Sequence, residues 1–220
     1  MRTRRPYLWQ QRVFARRPKR STRTFQAGPN SRQRPDTRLR QTRSAQPLRA
    51  TGQSPAIADG AAKTGRSRAE VTVAAFRTLA VSHHTEQFII AALRAAGALT
   101  VSLVAEENGR VIGHIAFSPV TLSDGTRHWY GLGPVSVQPE YQRRGIGKAL
   151  VREGLSRLKN MNARGCCLVG HPDYYTRFGF RHSPGLVLEG VPQEFFFALP
   201  LDGHVPQGTV TFHDAFKADA

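Results

Sequence analysis

Apolar positions along the chain change their texture twice. Residues 1–66 carry no sustained apolar period. From about Ser67, Ala69, Val73, Phe76 and Leu79 recur at helical spacing, and Phe88, Ile89, Ala92, Leu93 and Ala96 repeat the pattern after Ser82-His83-His84-Thr85. Two amphipathic helices are predicted, the second capped by Thr85 or Ser82 and ended by Gly97. The texture then becomes β-branched and aromatic. Runs over Thr100–Ala105 and Val111–Val120 flank Glu106-Glu107-Asn108-Gly109, whose Asn-Gly is a hairpin turn, and a third run over Arg127–Val137 follows Asp124-Gly125. Three antiparallel strands are predicted. Val151, Leu155, Leu158 and Met161 return to helical spacing, and Gly165–Val169 is a short apolar strand. A short helix over Pro172–Phe178 and strands over Leu186–Leu188 and Phe195–Leu199, paired with each other, complete the pattern.

Charge divides the chain at the same place as hydrophobicity. The net charge of +17 suggests a nucleic-acid binder, yet residues 1–70 hold 18 Lys/Arg against 3 Asp/Glu, and residues 71–220 hold 14 against 12. The part with the apolar pattern is nearly neutral. Residues 1–66, rich in Arg, Gln, Ser, Thr and Pro, cannot bury enough surface to offset their ordering entropy, so a disordered basic extension is expected. Three readings of it stay open: an arm binding nucleic acid or an acidic membrane surface through phosphate contacts, an organellar transit peptide, or a mis-assigned start. Cys166 and Cys167 are adjacent within an apolar run, which fits neither a disulfide framework nor metal-ligand spacing. No run of 18 apolar residues and no secretory apolar region near Met1 exists, so the expected compartment is the cytoplasm. The eight histidines form no metal motif, and His114 on an apolar strand reads as a core residue.

The chemistry concentrates in Val135–Leu150. Val135 and Val137 alternate about Ser136 as on a strand, Gln138-Pro139 stops it, and a helix follows Gly147. Two glycines, two arginines and a lysine lie between, so a turn able to approach a ligand closely meets the positive end of a helix. This is a pyrophosphate cradle. A Walker A loop is excluded, because Gln142 stands at its first glycine and Ala149 at its magnesium-binding hydroxyl. A dinucleotide fingerprint fails at its third small position, where Leu150 stands. Gln142-Arg143-Arg144-Gly145-Ile146-Gly147 fits Gln/Arg-x-x-Gly-x-Gly/Ala and resembles the acetyl-coenzyme A loop of the GNAT acetyltransferases. A second block, Tyr175-Thr176-Arg177-Phe178-Gly179-Phe180, resembles that family's Tyr-x-x-x-Gly-Phe signature. Phe212-His213-Asp214-Ala215-Phe216 resembles the ending of its YhbS-like bacterial members.

The resemblance covers roughly residues 67–216 and implies an α/β GNAT fold, a mixed and mostly antiparallel sheet flanked by helices, in a domain over 67–220. It implies acetyl transfer from acetyl-CoA, a cosubstrate, directly to a primary amine of a small molecule or protein, without a metal. Backbone at Val135, Ser136 and Val137 is expected to hold the pantetheine arm. The turn from Gln142 through Arg143, Arg144, Gly145, Ile146 and Gly147 to Lys148 is expected to hold the pyrophosphate. Tyr175 matches the family's general acid toward the departing sulfur, with Tyr174 as fallback. The family's usual glutamate base has no counterpart in Trp129–Pro134, so water relayed to a backbone carbonyl, Glu86 or His171 must serve. Trp129, Phe195 and Phe196 are either pocket wall or core. Two rival readings are a degenerate, non-catalytic acetyl-CoA binder and a nucleic-acid-associated protein acting through its arm. The GNAT fold also begins with a strand, for which Pro55–Asp59 is the one weak candidate.

Overall fold

The computed structural model describes residues 55–59 and 86–218. The basic stretch up to residue 54, the first predicted helix and the caps Ser82 and Thr85 lie outside the described residues. Strand β1 (Ala56–Asp59) pairs antiparallel with β2 (Val101–Glu107), Ile57 facing Ala105 and Ala58 facing Val104. The first strand that the resemblance requires is therefore present. It lies inside the stretch that composition assigns to the extension, so a boundary between 66 and 67 would cut it from its sheet.

Asn108 and Gly109, both at positive φ (52° and 73°), turn β2 into β3 (Arg110–Leu122), as Asn-Gly requires. The strand β4 (Trp129–Val137) runs antiparallel to β3, and helix α1 (Glu86–Ala95) precedes β2. After β4 come α2 (Ile146–Asn160), β5 (Gly165–Val169) and the short α3 (Pro172–Tyr175). The last strands are β6 (Leu186–Val187), β7 (Phe196–Pro200) and β8 (Gly208–Phe212). The sheet order is β1-β2-β3-β4-β5-β7, antiparallel throughout except for the parallel pair β4–β5. The strands at Leu186 and Phe196, expected to pair with each other, do not: β7 lies along the whole of β5, and β6 pairs in parallel with β8. That leaves β8 to cover the far end of β3, from Val120 to Leu122.

Alternation along β3 sorts the core into two sides. Ile115 and Phe117 join Ile146, Leu150, Val151, Leu155 and Leu158 of α2, while Ala116 joins Ile89, Ile90 and Leu93 of α1 with Trp129, Phe212 and Phe216. Each fully buried Ile or Leu here contributes about 1.5–3 kcal/mol. Cys166 and Cys167 are buried and free, and burial pushes both thiols up from their ordinary range.

Two consequences can be measured. Gly165 faces Trp129 across the parallel pair, and a Cβ at Gly165 would run into the buried indole ring. Gly165→Ala is expected to destabilise by about 1–3 kcal/mol, seen as a lower urea midpoint at unchanged slope; an unchanged midpoint would refute this packing. His114 is fully buried, facing Val104 and Ser136, with Nε2 3.0 Å from Ser102 Oγ. Burial, and secondarily the charge of Arg94, holds its imidazole down to about 3, so it is neutral in the folded chain and titrates near its ordinary value only when unfolded. Between those values the unfolded chain binds the extra proton, so stability is lost as pH falls from about 6.5 toward 3. His114→Gln should flatten this dependence between about pH 4.5 and 6.5, by up to about 1.4 kcal/mol per pH unit. Parallel stability profiles for variant and parent would contradict the assignment.

Candidate active site

The site begins where β4 and β5 part. They pair at Trp129–Gly165, Tyr130–Cys166 and Gly131–Cys167, after which β4 continues to Val137 without β5 beside it. Its other edge keeps β3. Between the pairs Phe117–Leu132 and Ile115–Val135, β4 advances three residues against two on β3, a bulge that contains Gly133 and Pro134. Such a bulge bends its strand and raises the local twist. Gln138 N–H donates to Ile112 O (2.9 Å), which makes Gly113–Val137 the open pair of an antiparallel ladder. Ser136 therefore bonds to β3, whereas Val135 and Val137 turn their N–H and C=O groups into the gap. Gln142 Nε2 donates to Val137 O (3.1 Å), leaving the two N–H groups and Val135 O on the gap side. Of the three residues expected to offer backbone to a ligand, Ser136 has its groups on the other edge. Its Oγ is buried without a hydrogen-bond partner.

The strand leads directly into the turn. Gln138, fully buried, donates from Nε2 to Val111 O (2.9 Å) and so fastens the start of the turn to β3. Pro139–Tyr141 form one 3-10 turn, and Gln142 N–H is used on Pro139 O (3.2 Å). Arg143 (φ 63°) and Gly145 (φ 86°) reverse the backbone, and Gly145 takes the N-cap of α2 with open space where a Cβ would stand. The Ala149 N–H to Gly145 O bond (3.0 Å) starts the helical ladder. The N–H groups of Ile146, Gly147 and Lys148 therefore precede it, and no acidic residue sits in that first turn to compensate the helix end. Arg143 and Lys148 are exposed. Arg144 is not a free cation: it meets Glu107 Oε1 at 2.8 Å and lies 5.0 Å over the Tyr141 ring.

Helix α3 closes the opposite side. A Cβ at Gly147 would sit 2.7 Å from the Tyr174 hydroxyl, so α3 docks on the first turn of α2 through that group. Tyr175 is buried under Gly170, edge-on to Tyr174 (4.9 Å) and Phe180 (6.1 Å). Burial, then Tyr174 and Cys166, drives its hydroxyl well above the ordinary tyrosine range, so it stays protonated. Burial also raises Tyr174, opposed by Arg177. His171 caps α3 at the end of β5, exposed, with Nδ1 3.6 Å from Asp173 Oδ2. Glu86 opens α1.

Trp129 and Phe196 are core residues at 1% exposure each, which leaves neither as a pocket wall. Sequence reasoning passed over three supports. Glu107 pairs with a residue 37 positions away, Gln138 looked like a strand stop, and Phe212 packs where a side chain at Gly131 would stand. Only the strand-ending Gln-Pro carried a local signal. Among the described residues there is no group of three or more His, Cys, Asp or Glu that could hold a metal, and no helix long and apolar enough to cross a membrane.

Comparison with known proteins agrees with this geometry. The acetyltransferase (GNAT) family matches residues 72–180. A GNAT family acetyltransferase from Brucella melitensis, crystallised in complex with acetyl-CoA, is 47% identical, with a TM-score of 0.58 over 74% of this chain and 98% of that one. The crystal structure of YhbS from Escherichia coli in complex with CoA is 29% identical, with a TM-score of 0.60 over 68% of this chain and 86% of that one. Among curated sequences, the uncharacterized N-acetyltransferase YhbS of Escherichia coli K12 is 40% identical over 89 residues; the match spans 40% of this chain and about half, 53%, of that relative. The chain belongs to the GNAT family of acetyltransferases.

Proposed function

We propose that the protein transfers an acetyl group from acetyl-CoA to a primary amine, directly, in a ternary complex. The observation that carries this reading is the gap beside β4, which shows inward-facing N–H and C=O groups at Val135 and Val137 and ends in the donor-rich turn Arg143–Lys148. A ligand with an amide-containing arm joined to a pyrophosphate fits that sequence of groups. The acetyl-CoA bound by the Brucella relative and the CoA bound by YhbS support the same ligand class. The cytoplasmic setting expected from the sequence is part of the proposal.

In this reading Val135 and Val137 orient the arm by backbone hydrogen bonds, and the amides from Arg143 to Lys148, with the charges of Arg143 and Lys148, hold the pyrophosphate. Gln142 acts from behind, holding Val137 O. The amine nitrogen attacks the thioester carbonyl, the carbon–sulfur bond breaks, and the departing thiolate takes a proton from a tyrosine. Tyr175, kept protonated by burial, is the donor; Tyr174, whose hydroxyl lies beside Gly147, is the fallback. The ammonium proton leaves through water to a backbone carbonyl, Glu86 or His171. A second reading, a domain that binds acetyl-CoA without turnover, draws on one observation: β4 carries no carboxylate, and Phe212 fills the space at Gly131.

Thiol release from acetyl-CoA across a panel of primary amines, small molecules and peptide N termini, tests the proposal. Turnover is expected on at least one amine, with Tyr175→Phe lowering kcat by about 100-fold or more while the acetyl-CoA Kd moves by less than about twofold. An unchanged kcat would remove Tyr175 from the acid role. Binding without turnover on any amine would favour the second reading.

A further inference from the structure

Beside the gap, the face of β4 turned away from α2 carries a hydroxyl that the coenzyme does not use. Val135 and Val137 pack toward α2 with Ile146, Leu150 and Tyr174, so Ser136, which alternates with them, points to the α1 side of the sheet. Leu132–Val137 is the stretch that has left β5, and Ser136 is its only polar residue. Its Oγ is buried without a hydrogen-bond partner. A hydroxyl so placed has lost its water and gained nothing in exchange, a cost that alanine at the same position would avoid. Such a group calls for an explanation.

An arm that enters from the pyrophosphate turn meets the N–H of Val137 first and that of Val135 next, so its acyl end lies at Val135 or deeper. Ser136 Cα stands one residue, about 3.8 Å, from Val135 Cα. Side chains fill the α2 side of this stretch, whereas on the α1 side a Cβ at Gly133 would meet only Phe216 Cε1, at 3.6 Å. An acceptor reaches the acyl carbon more readily from the α1 side. There His114 faces Ser136 across the β3–β4 pair, neutral and joined through Nε2 to Ser102 Oγ (3.0 Å), and a neutral imidazole does not repel an incoming ammonium. We propose that Ser136 Oγ positions the acceptor, taking a hydrogen bond from one N–H of the primary amine so that the nitrogen lone pair points at the acyl carbon. The other N–H is left to the water path that removes the proton. The carbon–nitrogen bond forms and the carbon–sulfur bond breaks as described above, and Ser136 neither gains nor loses a proton. The inference rests on the acetyl-transfer reading. It adds a residue that recognises the acceptor rather than the coenzyme, and it gives the buried hydroxyl its partner in the substrate.

Ser136→Ala in the full chain separates this role from a structural one, measured with an amine that the parent acetylates. The variant's kcat/KM for the amine should fall about tenfold. Its Kd for acetyl-CoA, from calorimetric titration, should stay within about twofold of the parent's, and its urea midpoint should be equal or higher, because the change removes a buried hydroxyl that has no partner in the free chain. A lowered midpoint would make Ser136 a structural residue. An unchanged kcat/KM, or a weakened affinity for acetyl-CoA, would each overturn the acceptor assignment while leaving the acetyl-transfer reading standing. A parent that turns over no amine would overturn that reading itself, and this inference with it.

Discussion

A parallel strand pair gains hydrogen bonds for as long as its strands run side by side, and β4 and β5 give that up after three residue pairs. The cost is a row of backbone groups with no strand partner, which an interior cannot tolerate unless something else satisfies them. Everything around the gap is arranged to hold it open. β5 is bound along its other edge by β7 from Gly165–Pro200 to Val169–Phe196, past the point where β4 leaves it. β4 is bound by β3 and bent by its bulge. The N–H groups of Val135 and Val137 and the C=O of Val135 are then a fixed feature of the sheet rather than a defect of one strand.

The supports behind the gap are as specific as the groups within it. Gln138 ties the turn to Val111, Gln142 ties it to Val137, and Tyr174 ties α3 to the first turn of α2. Phe212 and Phe216, 5.1 Å apart and edge-on, fill the α1 side against Gly131 and Gly133. That gives the chain's aromatic ending a structural role: it occupies the space a side chain on β4 would otherwise take. A side chain at Gly131 would collide with Phe212, and β4 carries no carboxylate. In the proposed reaction the proton acceptor comes from another element or from water.

Much of this was legible because its physics is local. Alternation at Val135 and Val137, the Pro139 stop, the glycines at 145 and 147 and the apolar helix period all act within a few residues, and the structure keeps strand, turn and helix in that order. The hairpin at Asn108-Gly109 was readable for the same reason. β1 was faint because Ala-Ile-Ala-Asp is four residues long with two small side chains, and its strand state depends on pairing with β2, more than 40 residues later. The partners of β6 and β7 were misassigned, and β8 was missed, because those choices are made by sheet edges distant in sequence. The ion pair that ties Arg144 to Glu107 is likewise invisible to a reading by spacing, which counts Arg144 among the free cations.

The central claim is that the open edge of β4 and the turn after it form one continuous binding surface. Residue-resolved amide hydrogen exchange, with and without acetyl-CoA, tests it most directly. In the free chain Ser136 and Gln138, bonded to β3, should be protected while Val135 and Val137 exchange quickly. Acetyl-CoA should slow Val135 and Val137 together with the amides from Arg143 to Lys148. Slow exchange at Val135 and Val137 before ligand is added, or a ligand effect confined to residues outside β4 and its turn, would contradict the account.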